Sequence, residues 1–132
     1  MLRYYPGSDS STTASYAPKP FWIQANQGLQ SNPLVDCISM AHPSLLDKQE
    51  IEAVGVPTQI LAPETDTQLT PELKEFCNKT IPALGVEYDY QYFPGLAHGF
   101  ATRGDMTNPL QKKGLERAKN AAVHWFWQHL HE

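Results

Sequence analysis

Apolar residues cluster in short runs from residue 34 onward, and each run is followed by a stretch with helical spacing. Three of the runs have the length and the β-branched or aromatic content typical of strands, and they cover residues 34–41, 56–62 and 86–93. The order along the chain is therefore strand, helix, strand, helix, strand, helix. This alternation predicts an α/β fold in which about three strands form a parallel sheet with crossover helices.

The first two predicted helices have recognisable start signals. Asp47 stands three residues before Glu50, which is the spacing of a capping box. Thr70 is followed by Pro71, which combines an N-cap residue with a proline at the first helical position. We expect this second helix to end near Thr80, because a proline and a glycine follow it.

The last helix is predicted to begin after Asn108 and Pro109. Its apolar residues recur with a 3.6-residue period, which indicates that one face packs on the core. These residues are Leu115, Ala118, Ala122, Trp125, Phe126 and Leu130. Residues 1–33, in contrast, are rich in serine, threonine and proline, so we expect that segment to be irregular or poorly ordered.

Composition narrows the class of protein. Of the 132 residues, 41% are hydrophobic and 18% are charged, which is enough apolar material for a folded core. The ten lysines and arginines are scattered in a chain of net charge −4, so nucleic acid is not an expected partner. The sequence has no apolar run of about 18 residues and no signal peptide, so we expect no membrane partner. The two cysteines, Cys37 and Cys77, are expected to be reduced thiols of a cytoplasmic protein.

Candidate chemistry lies at the ends of the predicted strands. In an open parallel sheet, ligands bind beyond the carboxyl ends of the strands. The loops there contain His42, then Glu64 and Asp66, then His98. A carboxylate can hold an imidazole in the tautomer that accepts a proton from a hydroxyl or a thiol. Asp66 and His98 occur in the order acid, then histidine, and Glu64 competes for the acid role.

Each of these residues also has an ordinary interpretation. A single loop histidine such as His98 is often only a hydrogen-bonded surface residue, and Asp66 could simply brace its loop. Cys37 lies inside an apolar strand, where a cysteine is most often core filler. The histidines of the last helix lack a third spaced ligand, so we expect no metal site and no cofactor.

The segment around His98 resembles the histidine motif of the dienelactone hydrolase family, most closely that of its fungal members. This segment, residues 93–105, is Phe-Pro-Gly-Leu-Ala-His-Gly-Phe-Ala-Thr-Arg-Gly-Asp. Residues 41–44 (Ala-His-Pro-Ser) and 62–66 (Ala-Pro-Glu-Thr-Asp) lie where that family has similar segments. The resemblance implies that residues 34–132 form the C-terminal part of an α/β-hydrolase domain.

The same resemblance implies a function and roles for particular residues. The family opens small-molecule esters or lactones with a Cys-Asp-His triad. By this similarity Asp66 is the orienting acid, His98 is the base, and Arg103 lies near the carboxylate of the substrate. These roles make a small-molecule ester or lactone the implied binding partner.

The sequence departs from the family at the nucleophile. The family's cysteine lies in a Gly-x-Cys-x-Gly turn between strand and helix, the nucleophile elbow, and neither that motif nor Gly-x-Ser-x-Gly occurs here. Three hypotheses follow. The chain is a truncated hydrolase with impaired activity, or a non-catalytic module that self-associates through an exposed sheet edge, or a hydrolase that uses Cys37 in an unusual geometry.

Overall fold

Parallel strands form one sheet in the order β1-β2-β3-β4. The computed structural model describes residues 4–6 and 35–130. Its strands are β1 (Tyr4–Pro6), β2 (Ile38–Ala41), β3 (Thr58–Thr65) and β4 (Tyr88–Ala97). The α/β fold and the three predicted parallel strands are confirmed. The short strand β1 was not predicted, and the rest of the segment expected to be irregular lies outside the described residues.

The three predicted helices begin at their predicted signals, and a further short helix, Phe100–Arg103, was not predicted. In chain order the helices are α1 (Lys48–Glu52), α2 (Pro71–Ala83), α3 (Phe100–Arg103) and α4 (Pro109–Leu130). The capping box ahead of α1 is complete, since Asp47 and Glu50 each accept the other's backbone N–H with their side chains, at 2.9 Å. Thr70 caps α2 by accepting the backbone N–H of Leu73 at 3.3 Å.

The predicted end of α2 near Thr80 was too early, because the helix includes Pro82. A proline in a helix lacks the N–H that would bond four residues back. The following turn nevertheless closes, since the backbone N–H of Leu84 donates to the carbonyls of Thr80 and Ile81 at 3.2 and 3.1 Å. Pro82 therefore lies in the last turn of α2, and the helix does not end at the residue before it.

Strands β3 and β4 extend further than their apolar runs predicted. Pro63 pairs with Phe93, and the pairing resumes only between Thr65 and Ala97, so β4 has an irregular stretch between these two pairs. Gly95 lies in this stretch with φ of +73°, a left-handed conformation that favours glycine. An irregularity of this kind accommodates residues that a regular ladder excludes, including proline.

Both faces of the sheet are covered by apolar side chains, as parallel sheets require. Alternate residues of β3 point to opposite faces, so Ile60 and Ala62 pack with residues of α1 and α2. Leu61 packs on the other face, in a cluster that includes Ala118 of α4.

The stripe predicted for α4 is largely buried, and only Leu115 and Leu130 are half-exposed. Gly114 on the same helix is also buried, and a Cβ atom there would lie 2.2 Å from Cδ1 of Leu96. The glycine therefore allows α4 to approach β4 closely. No helix in the described part of the chain is both long and apolar enough to cross a membrane.

Candidate active site

Strand register brings Asp66 and His98 to the same place. Thr65 and Ala97 are the last residues that pair between β3 and β4. Asp66 directly follows Thr65, and His98 directly follows Ala97. The backbone N–H of His98 donates to the carbonyl of Thr65 at 3.1 Å, which extends the ladder by one bond. Gly99, with φ of +89°, then turns the chain into α3. The two side chains therefore meet at the carboxyl edge of the sheet.

The Asp66 carboxylate holds the imidazole of His98 from one side. Nδ1 of His98 lies 2.9 Å from each carboxylate oxygen. The Asp66 side chain is 0% exposed, whereas that of His98 is 22% exposed. Oδ1 of Asp66 also accepts the backbone N–H groups of Gln68 and Leu69, at 2.8 and 3.0 Å. Asp66 thus both braces its own loop and contacts the histidine, so the two interpretations of this residue are compatible.

Glu64, the competing acid, is engaged elsewhere. Its carboxylate accepts the hydroxyl of Tyr92 at 2.8 Å and the backbone N–H of Gly95 at 3.1 Å. The hydrogen bond from Tyr92 lowers the pKa of this exposed carboxyl group, and that from Gly95 adds to the effect. The geometry therefore favours Asp66 over Glu64 as the acid beside His98.

A hydroxyl group that the sequence did not single out contacts the other side of the imidazole. Oγ of Ser44 lies 3.2 Å from Nε2 of His98. Ser44 belongs to the turn between β2 and α1, in which His42 and Leu45 have φ of +40° and +57°. One available signal was position, since Ser44 follows β2 at the same sheet edge as Asp66 and His98. The turn conformation that brings it to His98 was not predictable from residue type.

His42, also expected at this edge, lies beneath the site. Its ring is 0% exposed and packs edge-on against the rings of His98 and Phe100, at centroid distances of 4.9 and 5.6 Å. Burial, together with the nearby His98, lowers the pKa of His42 to about 4. At neutral pH His42 is therefore an uncharged ring that packs against the imidazole of His98.

An open cleft adjoins the histidine. It has a volume of about 450 Å³ and is lined by residues 95–100 with Arg103, Gly104 and Gln111. Arg103 lies in α3, and its side chain is exposed. The structure therefore brings Arg103 and His98 to one cleft.

Cys37 lies far from this edge. Cys37 precedes β2 and packs against Trp125 and Phe126 of α4. The neighbouring strand residue, Ile38, pairs with Thr58 at the start of β3, whereas His98 bonds to Thr65 at its end. The length of β3 alone separates these points by roughly 23 Å.

The thiols are also poorly suited to attack. Burial raises the pKa of Cys37 to about 11 and that of Cys77 to about 12. A thiol must ionise to act as a nucleophile, so the hypothesis of a Cys37-dependent site is disfavoured on both position and protonation. Within residues 4–6 and 35–130, no group of three or more histidine, cysteine or acidic side chains is arranged to hold a metal ion.

Parallel strands with helices on both faces, and an acid–histidine pair at their carboxyl edge, are features of the α/β-hydrolase class. The structure of a protein assigned as a dienelactone hydrolase from Klebsiella pneumoniae has this fold. It superposes with a TM-score of 0.63 at 14% identity, over 81% of this chain and 46% of that one. The model of the dienelactone hydrolase family matches residues 24–130. The chain belongs to the dienelactone hydrolase family.

Two fungal relatives are similar in sequence. Hydrolase tropI of Talaromyces stipitatus is 29% identical over 92 residues, which are 70% of this chain and 36% of that protein. Hydrolase pyvD of Aspergillus violaceofuscus is 30% identical over 91 residues, which are 69% of this chain and 37% of that protein. The chain thus spans well under half the length of the relatives that it matches.

Proposed function

We propose that this chain supplies the acid and base of a hydrolase site that acts on ester or lactone bonds of small molecules. The observation that carries this proposal is the 2.9 Å contact between Nδ1 of His98 and the buried Asp66 carboxylate. Family membership supports it, since the family model matches residues 24–130 and the similar fungal proteins are named hydrolases.

The proposed roles follow from the hydrogen bonds of the two side chains. An ionised carboxylate only accepts hydrogen bonds, so Nδ1 of His98 is the donor and Nε2 carries the free electron pair. Nε2 then removes a proton from the attacking group and returns it to the departing alkoxide. Asp66 fixes this tautomer and stabilises the imidazolium ion that forms between the two transfers.

Arg103 is proposed to bind the carboxylate of an anionic substrate. The guanidinium lines the same cleft as His98, and it can form two parallel hydrogen bonds to a carboxylate. The variant Arg103→Gln should raise KM about tenfold for an ester that carries a carboxylate. The KM for a neutral ester should not change. An equal effect on both esters would contradict the proposed role.

We infer that turnover by this chain alone is low. The 132-residue sequence contains neither form of the nucleophile elbow, whose backbone also contributes to the oxyanion hole. Loss of one such donor typically lowers the rate by about 10²–10³-fold. The proposed setting is the cytoplasm, which the two buried free thiols support.

Hydrolysis of p-nitrophenyl acetate by the purified chain tests this function. We expect slow turnover that His98→Ala abolishes and that His124→Ala, which removes an exposed histidine of α4, leaves unchanged. Turnover that His98→Ala does not affect would overturn the role of His98. His98-dependent turnover as fast as that of a complete family member would overturn the inference of low activity.

The alternative function is a non-catalytic interaction module, and one surface favours it. Val123 and Trp127 lie one helical turn apart on α4 and are 59% and 61% exposed. Strand β4 is also an outermost strand of the sheet, among the strands that the structure describes, and one of its sides has no neighbouring strand there. Self-association through these surfaces would appear in sedimentation velocity at micromolar concentration and should weaken in Trp127→Ser. A monomer at all concentrations would count against this alternative.

A further inference from the structure

A row of contacting rings leads from the core to the imidazole of His98. The ring centroids of Phe93 and Phe100 lie 4.8 Å apart, and those of Phe100 and His42 lie 5.6 Å apart. The ring centroids of His42 and His98 lie 4.9 Å apart. All three distances are in the range of favourable ring contacts. Phe93, Phe100 and His42 are buried, so His98 forms the partly exposed end of a buried row of rings.

The hydrogen bond to Asp66 leaves part of the orientation of His98 unfixed. It places Nδ1 at 2.9 Å from each carboxylate oxygen, but it does not set the tilt of the ring plane about that nitrogen. The terminal torsion of a histidine side chain has a broad energy profile, so the ring tilts easily. Oγ of Ser44 contacts Nε2 at 3.2 Å, yet in the proposed function this nitrogen must exchange a proton with the reacting groups. A restraint that leaves Nε2 available must therefore act on the plane of the ring.

The ring of His42 is placed to restrain that plane. It lies at 67° to the ring of His98, so the edge of one ring meets the face of the other. Tilting His98 would press the two rings together, and Phe100 packs against His42 and limits its movement. We propose that His42 is a positioning residue that fixes the plane of the His98 imidazole and so directs Nε2 toward the substrate. This role rests on the proposed function of His98 as a base.

His42 acts on His98 through its shape and not through a hydrogen bond. Neither ring nitrogen of His42 has a hydrogen-bond partner in the described part of the chain. Burial lowers the pKa of His42 to about 4, so the ring is uncharged at neutral pH. An uncharged ring does not repel the imidazolium ion that His98 forms during the proposed reaction. The contact between the two rings therefore persists through both proton transfers.

His42 is itself held at both its backbone and its ring. Its backbone N–H donates to the carbonyl of Leu61 in β3 at 3.0 Å, which ties the residue to the sheet. Its φ is +40°, a conformation that persists in a non-glycine residue only where the surroundings impose it. At the far end of the row, the guanidinium of Arg117 lies 4.1 Å from the centroid of the Phe93 ring. The ring that contacts His98 is thus supported by the sheet and by the packed core.

Two substitutions of His42 separate the planar shape of its ring from the volume that it fills. His42→Leu fills the buried site with a side chain that is not planar, whereas His42→Phe replaces one planar ring by another. In hydrolysis of p-nitrophenyl acetate, His42→Leu should lower kcat about tenfold at unchanged KM, because a slightly misplaced base is costly. His42→Phe should retain most of the wild-type kcat. Ile81→Ala, which removes buried atoms on the opposite face of the sheet, should lower stability and leave kcat unchanged.

Nitrogen-resolved NMR of the His98 ring gives a readout that does not depend on turnover. At pH 8 the wild-type chain and His42→Phe should each show one set of His98 ring signals, whereas His42→Leu should show broadened or multiple signals. A single unchanged set in His42→Leu would overturn the role of His42. So would equal kcat in all three chains, or a loss in His42→Phe as large as in His42→Leu. If His98→Ala does not affect turnover, the proposed function fails, and the NMR signals still decide whether His42 fixes the ring.

Discussion

The two ends of the parallel strands differ in the surroundings that they give to a hydroxyl and to a thiol. At the carboxyl edge, Ser44 lies in a turn with positive φ on either side of it, partly exposed and 3.2 Å from the imidazole of His98. Near the amino edge, Cys37 lies just before β2, 5% exposed and packed beneath Trp125 of α4. The thiol, intrinsically the stronger nucleophile, thus lies in an environment that suppresses its reactivity, and the weaker hydroxyl lies beside an imidazole.

This difference teaches that position in the fold outweighs residue type. A parallel sheet covered on both faces buries the side chains along its strands, so a thiol there is core filler whatever its chemistry. The chain leaves the sheet at the carboxyl ends of the strands, where side chains can converge from separate turns. Asp66, His98 and Ser44 all come from such turns.

The largest expected effect is the loss of the acid at the carboxyl edge. In Asp66→Asn the amide can donate to Nδ1 of His98, which leaves the proton on Nε2 and removes the base. We expect release of p-nitrophenolate to fall by about 10³–10⁴-fold. Glu64→Gln is the matched control, because it neutralises the neighbouring carboxylate that bonds to Tyr92, and it should retain the wild-type rate. Equal losses in both variants would contradict the assignment of the acid.

The next effect concerns the buried His42 beneath the site. Its pKa is lowered to about 4, below that of an unfolded histidine, so between these values the unfolded chain binds a proton that the folded chain does not. The contribution of His42 to the free energy of unfolding is therefore fully present above about pH 6.5, and it is lost as the pH decreases toward 4. By linkage, His42 should contribute a loss of about 2–3 kcal/mol at pH 4.5.

Urea unfolding at pH 7 and pH 4.5 measures this loss. His42→Phe keeps a ring against His98 and Phe100 but cannot be protonated, so its stability should depend less steeply on acid pH. His124→Ala, which removes an exposed histidine, should keep the wild-type dependence. A wild-type slope in His42→Phe would show that His42 is not held neutral by burial.

The third effect concerns the thiols. With pKa values raised to about 11 and 12, Cys37 and Cys77 should react with iodoacetamide at pH 8 at least about 100-fold more slowly than in the urea-unfolded chain. In Ser44→Cys, the added thiol at the carboxyl edge should react faster than either native thiol. Rapid labelling of Cys37 in the folded chain would reverse the comparison and revive the hypothesis of a Cys37-dependent site.

Local signals in the sequence predicted the elements well. The capping box of Asp47 and Glu50, the cap at Thr70 and the apolar stripe of α4 all depend on contacts within a few residues or on periodicity. The strand ends were predicted less well. The predicted strands stopped just before Pro63 and Pro94, but both prolines lie within strands, where the irregular pairing between β3 and β4 accommodates them. Such pairing depends on residues that are distant in the sequence.

The candidate site was predictable only in part. Asp66 and His98 were expected at one edge because parallel strands align their carboxyl ends, and the structure brings their side chains into contact. The contact from Ser44 was not foreseen, because it depends on left-handed backbone conformations at His42 and Leu45, which their residue types do not favour. Residue type likewise did not reveal that His42 is fully buried.

The account depends most on the tautomer of His98, and nitrogen-resolved NMR of the histidine rings measures it directly. At pH 8, where ordinary imidazoles are neutral, correlation of ring protons with ring nitrogens identifies which nitrogen is protonated. We predict that His98 carries its proton on Nδ1, facing Asp66, with an unprotonated Nε2 facing Ser44. A proton on Nε2, or an even mixture of the two tautomers as in an unrestrained ring, would contradict the proposal that Asp66 holds His98 as a base.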